Sequence, residues 1–199
     1  VTVQANGSAV YTIKVGIPQE CPVKACGRYY PERVDDVAWE NDLTAFRAYG
    51  PALQETGERA FGYDIWTKYN TTEPVVEARY EGELNPDMKA KIAELGKTDP
   101  KAAQELYRSV SYHVDHGNGL DCYKVGPTLG GGTTALMAGD TIVYPYCYAT
   151  QEILDNGPLR FTVKLVYNPL VVKGDSTIIE TRIITLDAGS YCNKTVVSY

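Results

Sequence analysis

The sequence predicts a mainly β protein: an antiparallel β-sandwich with a short helical insertion around residues 86–110. Three observations carry that expectation. Runs rich in Val, Ile, Thr and Tyr recur along the 199 residues, several alternating apolar with polar positions as a half-buried strand does. Turn signals such as Asn156-Gly157-Pro158 separate the runs without a helical pattern after each one. Neighbouring strands are therefore expected to pair antiparallel and two sheets to pack face to face. One patch alone carries helix punctuation. With 44% hydrophobic and 22% charged residues the chain can bury a substantial core, and residues 1–199 are read as a single domain.

In chain order, "AVYTIKV" (9–15) alternates as a first strand, and "VVEARY" (75–80) reads as a later one. Asn85-Pro86 caps and starts a short helix that stops at Gly96, and Asp99-Pro100 starts a second, "PKAAQELYRSV". The stretch "GPTLGGGTTALMAGD" lacks the Lys-Ser/Thr ending of a P-loop and the spacing of a dinucleotide fingerprint, so it reads as a mobile loop or strand connection. Three further strand regions, "DTIVYPYCYATQEIL", "RFTVKLVYNPLVV" and "STIIETRIITLDAG", complete the sheets.

Charge and cysteine content exclude several functions. The net charge of -6 is spread without a basic run, which leaves no footprint for nucleic acid or an anionic membrane surface. No apolar stretch reaches the roughly 20 residues of a membrane span. The five cysteines hold one close pair, Cys21 and Cys26, without the second pair of a zinc knuckle. The chain opens inside one alternating pattern and closes in another, so it is expected to be a fragment of a longer protein.

Both histidines fall in "SYHVDHGNGLDCYKVG", residues 111–126. Gly117 and Gly119 argue against a helix there, so a strand end or irregular loop is expected. In an extended chain residues three apart point to opposite faces, so His113 and His116 should do different jobs. Two histidines with Asp115 supply metal donors, but the segment matches no zinc signature and no metal or other cofactor is assigned. As an acid-base site, a histidine titrates near neutral pH, with Tyr123 or Lys124 as a partner. In a third reading Asp115 and Asp121 hold loop amides and the histidines are structural.

A second constellation, residues 35–70, alternates apolar with polar residues: Trp39-Glu40-Asn41, then Phe46-Arg47-Ala48-Tyr49, then Tyr63-Asp64-Ile65-Trp66. One displayed face would carry Arg47 with carboxylates and amides, with Tyr or Trp rings nearby, and the candidate contacts of this constellation are Arg47, Glu40, Asn41, Asp64, Tyr49 and Trp66. Aromatic rings stack on sugar rings, carboxylates and amides satisfy hydroxyls, and Arg grips a carboxylate with two parallel bonds.

Over "YPERVDDVAWENDLTAFRAYGPAL", "GYDIW", "YHVDHGNGLDCYKVGPTLGGG" and "ETRIITLDAGSYCNKT", most of the chain from Gly27 onward resembles the family of the domain of unknown function 4861, found in polysaccharide-degrading bacteria. The resemblance implies a galactose-mutarotase-like β-supersandwich in a periplasmic or secreted bacterial protein, with an oligosaccharide or polysaccharide as ligand. It also implies lyase or dehydratase chemistry, a β-elimination on uronic-acid-containing oligosaccharides. Carried onto this chain, His113 and His116 become the base candidates and Tyr123 the acid. Arg47 becomes the uronate clamp, joined by Lys124, with Asp115 and Asp121 as further substrate contacts. The chain departs from the commoner family form at Asn118, where an acidic residue is usual, and at Leu43-Thr44. A sugar epimerase on the same fold, or a glycan-binding module using Trp39, Trp66 and the tyrosines, are the alternatives.

Overall fold

In a computed structural model describing residues 3–17 and 20–199, the chain first builds β1 (Ala25–Tyr30), β2 (Asp36–Asn41) and β3 (Thr44–Ala48). After the short helix α1 (Pro51–Glu55) it adds β4 (Asp64–Thr67), and the four strands form an antiparallel meander in that spatial order. Three helices follow: α2 (Val76–Leu84), α3 (Pro86–Gly96) and α4 (Pro100–Arg108). A hairpin of β5 (Leu136–Ala138) and β6 (Thr141–Val143) leads to β7 (Tyr148–Asn156) and β8 (Arg160–Tyr167). The small pair β9 (Leu170–Val172) and β10 (Asp175–Ile178) precedes β11 (Thr181–Asp187) and β12 (Lys194–Ser198), which complete a second antiparallel sheet of order β12, β11, β8, β7. The mainly β, antiparallel architecture expected from the sequence is what the chain forms, with two sheets packed face to face.

The first sheet decides the rest. Its register sets Trp39 opposite Phe46 and Phe46 opposite Ile65 on one face, and Ala38 opposite Arg47 and Arg47 opposite Asp64 on the other. The first face packs Val37, Trp39, Phe46 and Ala48 against Phe161, Val163 and Leu165 of β8 and Ile184 and Leu186 of β11. Trp39 lies nearly parallel to Phe46 and Phe161, with ring centroids 5.8 and 6.3 Å away. Burying these large side chains contributes roughly 1.5–3 kcal/mol each. The second face is covered by α2 and by the segment after α4, where Tyr80 and Tyr112 close over Ala38, Ala45 and Trp66.

The alternation in residues 35–70 is thus real, but both faces of β2 and β3 are buried and neither is displayed. A second sheet takes one and helices with a loop take the other. The helix starts at Asn85-Pro86 and Asp99-Pro100 form as expected: Asn85 Oδ1 accepts from the Met88 amide at 2.9 Å and Asp99 Oδ1 from the Ala102 amide at 3.0 Å. Helical structure begins earlier than residue 86, however, because "VVEARY" lies largely in α2 rather than in a strand. The buried Glu40 carboxylate accepts from the amides of Val75 and Val76 at 2.9–3.0 Å, which fixes this helix N-terminus from β2. "AVYTIKV" forms no strand either. Its Val10, Ile13 and Val15 stand exposed, since strand patterning without an edge to pair with leaves the backbone to water. The glycine-rich stretch is a connection over residues 126–135 that runs into β5, and it packs just before β4, with Gly131 N donating to Tyr63 O at 2.8 Å. No described helix is long and apolar enough to cross a membrane.

Candidate functional site

The segment from Ser111 to Val125 is an irregular loop laid along β4. Thr67 N donates to Leu120 O at 2.9 Å, and Asp121 N returns to Tyr112 O at 2.9 Å. Gly119 allows this approach: its φ is +97°, and a β-carbon there would lie 2.0 Å from Thr67 O. The loop thereby brings Asp121 over the charged face of the first sheet and leaves His113 at its rim.

Four elements meet beneath it. Arg47 of β3 is buried, and its Nη2 donates to Asp64 of β4, to Asp121 Oδ2 at 2.9 Å and to Tyr49 Oη at 3.2 Å. Its Nη1 donates to Tyr112 Oη at 3.3 Å, and Asp36 Oδ2 of β2 lies 3.9 Å from its Nε. Arg33 adds Nε and Nη2 to the Tyr112 hydroxyl, each at 3.2 Å, and stands 3.8 Å from Asp36. Arg33 comes from a 3-10 turn over Pro31–Arg33 and Asp36 from β2. Between them Val34 and Asp35 hold φ of 45° and 63°, a costly conformation for a β-branched residue. That strained pair turns Arg33 toward the loop and sends Asp36 inward.

Three carboxylates thus surround the buried Arg47 guanidinium, with the partly exposed Arg33 beside Asp36 at the edge of the cluster. Burial raises Asp36 from 3.8 to about 7, against the pull of Arg47 and Arg33. Burial also raises Asp121 to about 6, with Asp64 adding and Arg47 and His113 opposing. One oxygen of each of Asp36, Asp64 and Asp121 is buried without a hydrogen-bond partner. The cluster carries one negative charge more than it balances, so it favours a proton or a third cation.

Above the cluster opens a cleft of about 430 Å³, lined by Arg33, Arg47, Tyr49, His113, Asp121, Tyr123 and Lys124 together with Glu58, Cys122 and two leucines. The His113 ring is half exposed and sits 4.6 Å from the Tyr112 ring. Its Nδ1 faces Asp121 O at 3.3 Å and Asp121 Oδ2 at 3.5 Å. Lys124 is exposed and has no ion-pair partner among the described residues. Tyr123 donates its hydroxyl to Tyr63 O at 2.9 Å, and burial raises it to about 12, so the phenol stays protonated.

The structure brings His113, Asp121, Tyr123, Lys124, Tyr49 and Arg47 to one cleft, with Asp64 directly below. It does not bring the rest. His116 lies in a different hollow, its Nε2 at 3.0 Å from Ser111 O. Asp115 is exposed and accepts from Tyr69 Oη and from the amides of Gly117 and Gly119, which holds the loop. Glu40 is spent on α2 and on Lys68 Nζ at 2.8 Å. Asn41 donates to Asp187 O and Ser190 O and accepts from the amides of Leu43 and Thr44. Trp66 and Trp39 are buried and offer no ring to a sugar. Arg47 differs from the expected clamp in its surroundings: its guanidinium already faces three carboxylates. The residue missed was Arg33, whose one sequence signal was its place in "YPERVDD". Among the described residues no group of three or more His, Cys, Asp or Glu side chains is arranged to hold a metal ion.

The chain belongs to the family described as Domain of unknown function (DUF4861), whose model matches residues 1–199. It is also 29% identical over 182 residues to a protein of Formosa agariphila described as "Uncharacterized protein P7". That match covers 88% of this chain and 40% of the relative, so the chain spans about two fifths of the relative's length. No solved structure matches the chain.

Proposed function

We propose that this protein acts on carbohydrate, as a lyase or dehydratase performing β-elimination on uronic-acid-containing oligosaccharides. The observation that carries the reading is His113, a half-exposed base candidate backed by Asp121 in a cleft that also holds the cations Lys124 and Arg33. Elimination beside a carboxylate needs that combination: a base for the acidified C–H, and positive charge for the enolate-like density that builds on the carboxylate. His113 takes the C5 proton, the C5–H electron pair becomes the C4=C5 double bond, and the C4–O bond breaks. The departing oxygen takes a proton from Tyr123, whose phenol is held protonated and rotates off the Tyr63 carbonyl to reach it. Lys124 and Arg33 grip the substrate carboxylate, while Arg47 stays below as the anchor of Asp121. A periplasmic or secreted location, which the family resemblance implies, belongs to the same proposal.

The test is a panel of uronic-acid oligosaccharides followed by the ultraviolet absorbance of an unsaturated uronate, in deuterated water. Absorbance growing with time supports elimination. Deuterium at C5 without absorbance moves the site to epimerisation, which would use the same base, and binding with neither signal moves it to a glycan-binding role.

A further inference from the structure

The two histidines face different acceptors, and that difference reaches beyond the choice of base. A neutral imidazole carries its proton on one nitrogen, and the hydrogen bond made by that nitrogen decides which one. Around His113 Nδ1 stand two oxygens that only accept: the Asp121 carbonyl at 3.3 Å and Asp121 Oδ2 at 3.5 Å. Around His116 the order is reversed, because Nε2 faces the Ser111 carbonyl at 3.0 Å. Asp121 itself is not free to turn. Arg47 of β3 holds its Oδ2 at 2.9 Å, Asp64 of β4 shares that guanidinium, and Asp36 of β2 and Arg33 flank it. Tyr112 packs on the imidazole from the side, and Lys124 shares its cleft.

We infer that Asp121 is the positioning residue of this site: it fixes His113 with the proton on Nδ1, so that Nε2 presents its lone pair to the cleft, and it receives the imidazolium that forms. Charge balance agrees. Asp36, Asp64 and Asp121 face Arg33 and Arg47, and a protonated His113 supplies the third positive charge. The inference rests on His113 as the base of the proposed elimination, but the tautomer can be read without any substrate. His116 takes the opposite tautomer and serves as the internal control.

The experiment is nitrogen-15 NMR of the ring nitrogens in uniformly labelled protein above pH 8, with the two histidines assigned by single substitutions. His113 is expected with its proton on Nδ1 and His116 with its proton on Nε2. In Asp121→Asn the His113 proton should redistribute toward Nε2 while His116 stays as it was. With an active substrate, kcat should fall at least about tenfold against a change in KM of less than about twofold, as for the misdirected imidazole of a Ser-His-Asp triad. Asp121→Glu should restore part of both. Wild-type His113 with its proton on Nε2 overturns the inference even if neither Asp121 variant folds. An unchanged tautomer in Asp121→Asn overturns it as well. Absence of elimination with the predicted tautomer in place would instead strike the proposed reaction.

Discussion

The two faces of the first sheet are built from the same strands and solve opposite problems. On one face Val37, Trp39 and Phe46 meet Phe161, Val163 and Leu165, and every group gains by leaving water. On the other, one residue away along each strand, Asp36, Arg47 and Asp64 are equally buried and each is tolerable only because of the others. A dry face needs only apolar residues of suitable shape. A charged face needs partners from β2, β3, β4 and the loop at once, and that demand fixes where Asp121 and His113 stand.

Mutations that treat the faces alike should sharpen the contrast. Trp39→Ala empties the space between Phe46 and Phe161 and is expected to cost about 3–5 kcal/mol by denaturant unfolding, with little dependence on pH between 5 and 8. Arg47→Met is expected to cost a similar ~3–5 kcal/mol at pH 8, because it leaves Asp36, Asp64 and Asp121 buried without their shared cation. That cost should shrink as pH falls and Asp36 and Asp121 take protons. Equal costs at pH 5 and 8 would remove the distinction between the faces.

The intact protein should show a weaker version of the same effect. Asp36 and Asp121 hold their protons to about 7 and about 6, whereas the unfolded chain releases them near 3.8. Between those values the folded state binds more protons than the unfolded one. The stability these groups contribute is complete below about pH 4, declines as pH rises, and is gone above about 7. Unfolding free energies at pH 5, 6, 7 and 8 should fall along that window, and Asp36→Asn should flatten the slope. Glu40→Gln is expected to cost about 3–5 kcal/mol, since one amide oxygen can still accept from Val75 and Val76 but the buried Lys68 ammonium loses its counter-ion and meets an amide NH2 group instead. Amide hydrogen exchange should place that loss with α2.

What the residues disclosed follows the range of the forces involved. The caps at Asn85 and Asp99 were legible because a cap is settled within three residues of its own amide. The start of α2 was not, because it is settled by Glu40, 35 positions upstream; Val75, Val76 and Tyr80 by themselves resemble strand. The alternation of residues 35–70 placed Arg47 on a polar face with carboxylates, and the register of β3 and β4 makes Asp64 its partner. The alternation could not show that α2 and the histidine loop cover that face, which turns Trp66 from a sugar platform into core and Arg47 from a clamp into an anchor. Spacing in an extended chain suggested different places for His113 and His116; the segment is an irregular loop instead, and it is the path of that loop that gives the two rings different surroundings. Arg33 escaped because the strained Val34-Asp35 turn that aims it is a tertiary feature.

On the proposed reading, the loop over the charged face makes a base of His113 and leaves His116 a structural group. The most direct test is the rate of formation of unsaturated uronate by the protein, by His113→Ala and by His116→Ala, with folding of each variant checked by its thermal transition. His113→Ala should lose at least about two orders of magnitude in turnover and His116→Ala less than about threefold. Comparable losses in both, or a loss confined to His116→Ala, would contradict the account.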